Sequence, residues 1–99
     1  MKPGSTDRTE RVTVDFDGRV QGVGFRFAVC EVAARHPVTG FVRNEHDGSV
    51  RVVAEGAPAV LEAFIRDIYK THAGANIQRE RRLKGPAAGR FTRFRIEYG

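Results

Sequence analysis

VTGFVRNEHDGSVRVVAE, residues 38–55, is the stretch that decides how this chain must fold. Residues 38–45 and 49–55 are rich in β-forming side chains, and His46-Asp47-Gly48 between them carries an Asp-Gly step suited to a tight reversal. Two consecutive strands, antiparallel and paired, are therefore predicted here. A helical stripe lies on either side. Upstream, Phe25, Ala28, Val29, Val32 and Ala33 recur at i, i+3, i+4, i+7 and i+8, and Pro37 stops the pattern because the residue before a proline is pushed out of the helical region. Downstream, Pro58 suits a first helical turn, and Val60, Leu61, Phe64, Ile65 and Ile68 form the second stripe. Glu62 and Arg66 are spaced for an i, i+4 ion pair on its outer face.

Further out the pattern returns to strands. Residues 11–16 (RVTVDF) alternate Val12, Val14 and Phe16 against polar neighbours. At the other end Phe94, Ile96 and Tyr98 alternate against Arg93, Arg95 and Glu97, and residues 76–84 are read as one more strand despite poor alternation. The order is strand, helix, strand, strand, helix, strand, with a short final strand. That is the split βαβ plan of a ferredoxin-like α+β sandwich: an antiparallel sheet of four to five strands with two helices on one face. Residues 1–9 read as a flexible tail, and residues 10–99 as a single domain.

Composition sets the bounds around this plan. With 99 residues, 40% hydrophobic and 29% charged, the chain reads as one globular domain with one modest core. No apolar run approaches the ~18 residues of a membrane span. Residues 1–10 (MKPGSTDRTE) are too polar for a secretory signal, so the expected compartment is the cytoplasm. Cys30 is the only cysteine, in keeping with a reducing environment. The net charge is +5, and between Lys70 and Arg95 eight Lys or Arg residues face the single acid Glu80. Such a bias points to an anionic partner or to a solvated basic face.

The candidate site is the link between the first strand and the first helix, GRVQGVGFR at residues 18–26. A glycine-rich turn feeding a helix gathers backbone N–H groups into one concavity, where the helix terminus adds partial positive charge. Gly22 and Gly24 supply left-handed backbone angles and allow close approach, and Arg26 stands at the helix entrance with a fork that matches two oxygens of an anion. Read alone, the same glycines would also serve a plain tight turn.

The two motifs together, GRVQGVGFR and TGFVRNEHDGSVRVVAEG, resemble the acylphosphatase family, and the match runs without a gap from about Val14 to Gly56. Beyond Gly56 it weakens to a helix and to Phe91-Thr92-Arg93-Phe94, which is similar to the family's closing F-x-x-F. The resemblance implies a ferredoxin-like fold and hydrolysis of the carboxyl–phosphate anhydride of acyl phosphates, with no cofactor and no metal. Arg26 and the backbone N–H groups of Gln21, Gly22, Val23, Gly24, Phe25 and Arg26 would hold the phosphoryl group. Asn44 would orient the attacking water. A monomer acting on a small acyl phosphate is implied, with inorganic phosphate or a similar anion able to occupy the loop.

Other constellations point elsewhere. Cys30 and Arg35 fall one residue short of the C-x5-R spacing of cysteine phosphatases, and Cys30 lies within a predicted helix. His36, His46 and His72 are scattered without ligand spacing. Arg19 and Arg43 are candidates for raising the local potential. GVGFRF has some of the glycine and aromatic rhythm of the RNP1 motif, which keeps an RNA-binding module as the competing class, together with a non-catalytic acyl-phosphate binder. A relative of the acylphosphatase-like domain of hydrogenase maturation proteins is the less expected variant, because that domain sits in a much larger polypeptide.

Overall fold

The computed structural model describes residues 8–98. In chain order it contains β1 (Glu10–Gly18), α1 (Phe25–Ala33), β2 (Thr39–Asn44), β3 (Val50–Gly56), α2 (Pro58–Tyr69), a single 3-10 turn (Ala73–Asn76), β4 (Ile77–Pro86) and β5 (Phe94–Glu97). The expected tail lies outside the described residues except for Arg8 and Thr9, which are exposed.

The hairpin that decides the fold closes as read. Asp47 accepts from the backbone N–H and the hydroxyl of Ser49 at 3.0 and 2.6 Å, and Gly48 takes φ 93. The Glu45 N–H donates to Ser49 O at 2.9 Å, which locks β2 to β3. Strand order across the sheet is β4-β1-β3-β2-β5, so β3 splits the β1-α1-β2 unit. Rows of apolar side chains cross it in register: Val12 opposite Ala54, Val14 opposite Val52, Phe16 opposite Val50, and Val52 opposite Val42. Onto this face α1 brings Phe25, Val29, Val32 and Ala33, and α2 brings Leu61, Phe64, Ile65 and Ile68, all buried. The two helices are joined at one end by a 2.9 Å contact between His36 Nε2 and Asp67.

Two expectations change. The sheet is mixed, because β5 runs parallel to β2. The chain leaves β4 at one edge and returns at the opposite edge in the reverse direction, and that direction is the one β2 already has. Glu62 does not turn to Arg66; it meets Arg82 at 3.3 Å and Lys84 at 3.1 Å, two β4 residues that pair with Val14 and Val12 and so stand on the helix face of the sheet. The poor alternation of residues 76–84 has its cause in the same place. As an edge strand β4 is mostly solvated, with Leu83 73% exposed.

Residues 87–93 cross the helix-free face as a strap. The N–H groups of Ala88 and Gly89 donate to the Glu55 carboxylate at 2.9 and 3.0 Å, and Arg11 Nε donates to the same group at 2.9 Å. Phe91 meets the Phe41 ring edge-on at 5.9 Å, and Arg93 O accepts from Gly40 N–H at 3.0 Å. Gly40 has φ 144 and passes so close to β3 that an added Cβ would lie 1.9 Å from Val53 O. Only glycine fits there.

Candidate active site

The 18–26 loop is pinned at both ends. Val20 is 1% exposed, and Phe25 is buried edge-on against Phe16 with centroids 5.5 Å apart. Between these anchors Gly22 and Gly24 take φ 78 and 79, a region in which residues with a Cβ are strained. An added Cβ at either position would meet nothing within 4 Å, so the demand is for backbone angle and the loop's outer surface is open. Gly24 caps α1, its carbonyl accepting from Ala28 N–H at 3.0 Å. The N–H groups at the start of a helix have no partner within the helix, and here they follow the glycine turn directly.

A tie that sequence reasoning did not foresee fixes the loop to the hairpin. Gln21 Nε2 donates to Glu45 O and to Ser49 O, both at 2.8 Å. This brings the two motifs together at the same end of the sheet. Arg26, on the first turn of α1, and Asn44, the last residue of β2, line one cleft of about 270 Å³ with Glu45, His46 and Tyr98. Asn44 Oδ1 itself is buried and has no hydrogen-bond partner among the described residues. A buried acceptor left unmet is costly, and such a group calls for an explanation in strain, a catalytic role or a bound water.

The family model described as Acylphosphatase matches residues 12–96. A Salinibacter ruber protein named Acylphosphatase is 42% identical over 91 residues, which is 92% of this chain and 96% of that one. The chain belongs to the acylphosphatase family. A Methanospirillum hungatei JF-1 acylphosphatase is 50% identical over 66 residues, covering 67% of this chain and 72% of its own. The crystal structure of acylphosphatase from Bacillus subtilis superposes with a TM-score of 0.83 at 30% identity, over 90% of this chain and 99% of that chain.

Within this acylphosphatase-family site the charges divide cleanly. Arg43 is held by Glu45 at 2.8 Å and Glu97 at 3.2 Å, with its pKa raised chiefly by the Glu45 hydrogen bond. It turns to the helix-free face, over the Phe41 ring at 5.0 Å, so it does not raise the cleft's potential as the sequence suggested. Arg19 is exposed and also lies outside the cleft lining. Arg51 is taken up by Asp15 at 2.8 and 3.0 Å. Arg26 instead stacks on Tyr98, with Cζ 5.1 Å from the ring centroid. Tyr98 continues the alternation of Phe94 and Ile96 in sequence, but it stands beyond the end of β5 and is 75% exposed.

The remaining candidates separate in space. Cys30 sits within α1 with its thiol pKa pushed up by burial, which disfavours the thiolate a nucleophile needs. Of the three histidines, only His46 reaches the cleft; His36 is engaged with Asp67. Among the described residues no group of three or more His, Cys, Asp or Glu is placed to hold a metal ion, and no helix is long and apolar enough to cross a membrane. In the GVGFRF segment Phe25 belongs to the core, whereas Phe27 is 65% exposed on α1 and lies outside the cleft lining.

Proposed function

We propose that the chain hydrolyses the carboxyl–phosphate anhydride of acyl phosphates, releasing carboxylate and inorganic phosphate, in the cleft between the 18–26 loop and the β2–β3 hairpin. Family membership supports the reaction class. What carries the residue assignment is the convergence of Arg26 and Asn44 on one open cleft between the first turn of α1 and the end of β2.

The substrate's phosphoryl oxygens are received by the Arg26 guanidinium and by the N–H groups of Gln21, Gly22, Val23, Gly24, Phe25 and Arg26, which act as preorganised donors for charge that spreads over those oxygens in the transition state. A carboxylate is a good leaving group, so the site needs no covalent nucleophile. Asn44 Oδ1 accepts a hydrogen bond from a water and aims its oxygen at phosphorus, in line with the departing carboxylate. The P–O bond to the acyl group breaks, the acyl oxygen leaves with the electron pair, and the water's proton passes to solvent. No metal or cofactor takes part in this scheme. The protein acts as a monomer in the cytoplasm, and inorganic phosphate competes for the same cradle.

The test is hydrolysis of benzoyl phosphate in ¹⁸O-water with a chelator present. Turnover that persists with chelator and carries the label into phosphate supports attack at phosphorus. Label in benzoate would mean attack at the carbonyl carbon, and absence of turnover in folded protein would leave a binding module.

A further inference from the structure

Five side chains line the cleft, and three of them already have work. Arg26 and Asn44 serve the phosphoryl group and the water of the proposed reaction, and Glu45 is tied to Arg43 at 2.8 Å. The surface left for the rest of the substrate is two rings, His46 and Tyr98. Singly exposed aromatics are ordinary on protein surfaces and by themselves mean little. Tyr98 differs because its ring is held at the site, with the Arg26 guanidinium over it at 5.1 Å, while the side chain as a whole keeps 75% exposure.

The stacking geometry has a chemical consequence. A guanidinium that lies on an aromatic ring keeps the N–H donors in its own plane available for an oxyanion. A phosphoryl group received by that fork therefore has the Tyr98 ring beside it. The acyl group, one bridging oxygen away from phosphorus, must leave the cradle past that ring. Contacts to phosphate alone cannot tell one acyl group from another.

We propose that Tyr98 is a specificity-determining residue, an apolar wall that favours acyl phosphates with a broad planar or aromatic acyl group over those with a short one. This rests on reading the cleft as the hydrolytic site. A benzoyl ring can lay its face or edge against the phenol and gain an aromatic contact, a preference of about 2- to 12-fold for a single pair. An acetyl group has too little surface to reach the same wall.

The experiment compares kcat/KM for benzoyl phosphate and acetyl phosphate in wild type, Tyr98→Ala and Tyr98→Phe. The benzoyl-to-acetyl ratio is expected to fall about 2- to 12-fold in Tyr98→Ala and to stay at the wild-type value in Tyr98→Phe, which keeps the ring. The ratio cancels both the intrinsic reactivity of the two compounds and any loss from a loosened Arg26, since that loss would weigh on both substrates alike. Hydrolysis of both compounds with an unchanged ratio in Tyr98→Ala overturns this inference alone. Wild-type protein that hydrolyses neither compound overturns the hydrolytic reading, and the inference with it.

Discussion

Gln21 shows how much of the site depends on a side chain whose partners are distant in sequence. Its amide bridges Glu45 O and Ser49 O, 24 and 28 residues away, and so sets the distance between the glycine turn and Asn44. Gln21→Ala removes both bonds and is expected to lower stability by about 1–3 kcal/mol. By letting the loop drift from the hairpin it should also reduce kcat/KM by up to about 100-fold, as misplacements near 1 Å do. Thermal melts and steady-state kinetics on the same sample check both effects, and wild-type kcat/KM would show that the tie plays no part in positioning. The candidate residues Arg26 and Asn44 were legible because each stands in a motif. The tie was not, because nothing in GRVQGVGFR says that the loop will lie against the hairpin. Tyr98 misled for a related reason: a period of two continues through it, but the strand ends at Glu97.

At the scale of elements, the hairpin and both helices were readable because periodicity and the Asp-Gly step agree with the tertiary structure. The edges were not. A strand with one solvated side and few buried neighbours, such as β4, carries a weak pattern, and no periodicity reports whether a last strand docks parallel or antiparallel. The strap over residues 87–93 was equally hidden, since its main partner is a single carboxylate. Glu55 is 5% exposed. Burial acts to raise its pKa, but the Ala88 and Gly89 N–H groups and the Arg11 guanidinium outweigh it and hold the carboxyl below its ordinary 4.5. A depressed carboxylate contributes stability that is present above the unfolded value and is lost as pH falls through the folded one. Stability is therefore expected to decline below about pH 4.5. Glu55→Gln should lower stability at pH 7 by about 1–3 kcal/mol and flatten part of that acid decline. Asp47, Glu62, Asp67 and Glu80, also held below the usual carboxylate range chiefly by hydrogen bonds to Ser49, Lys84, His36 and Arg82 respectively, keep the rest of the slope. Urea midpoints measured from pH 3 to 7 decide the point; parallel profiles for the two proteins would rule out the strap's carboxylate as a source of the acid sensitivity.

Across the whole molecule, the fold brings two motifs separated by a helix to one end of the sheet, and that placement is what the proposed site rests on. β1 and β2 run in the same direction with β3 between them, so the loop after β1 and the end of β2 emerge together. The basic excess of the last third is spread over β4, the strap and β5. Part of it is matched by Glu62, Glu80, Asp15 and Asp17, and among the described residues the one basic side chain that lines the cleft is Arg26 unless His46 is protonated. The measurement that tests this account most directly is kcat/KM for benzoyl phosphate in wild type, Arg26→Ala and Asn44→Ala, with folding verified by circular dichroism and inorganic phosphate titrated as an inhibitor. The account predicts a loss of at least about 100- to 1000-fold in Arg26→Ala, the range for removing one preorganised charge-stabilising donor. In Asn44→Ala it predicts a depressed kcat while phosphate still inhibits. A folded Arg26→Ala protein with unchanged kcat/KM would contradict it.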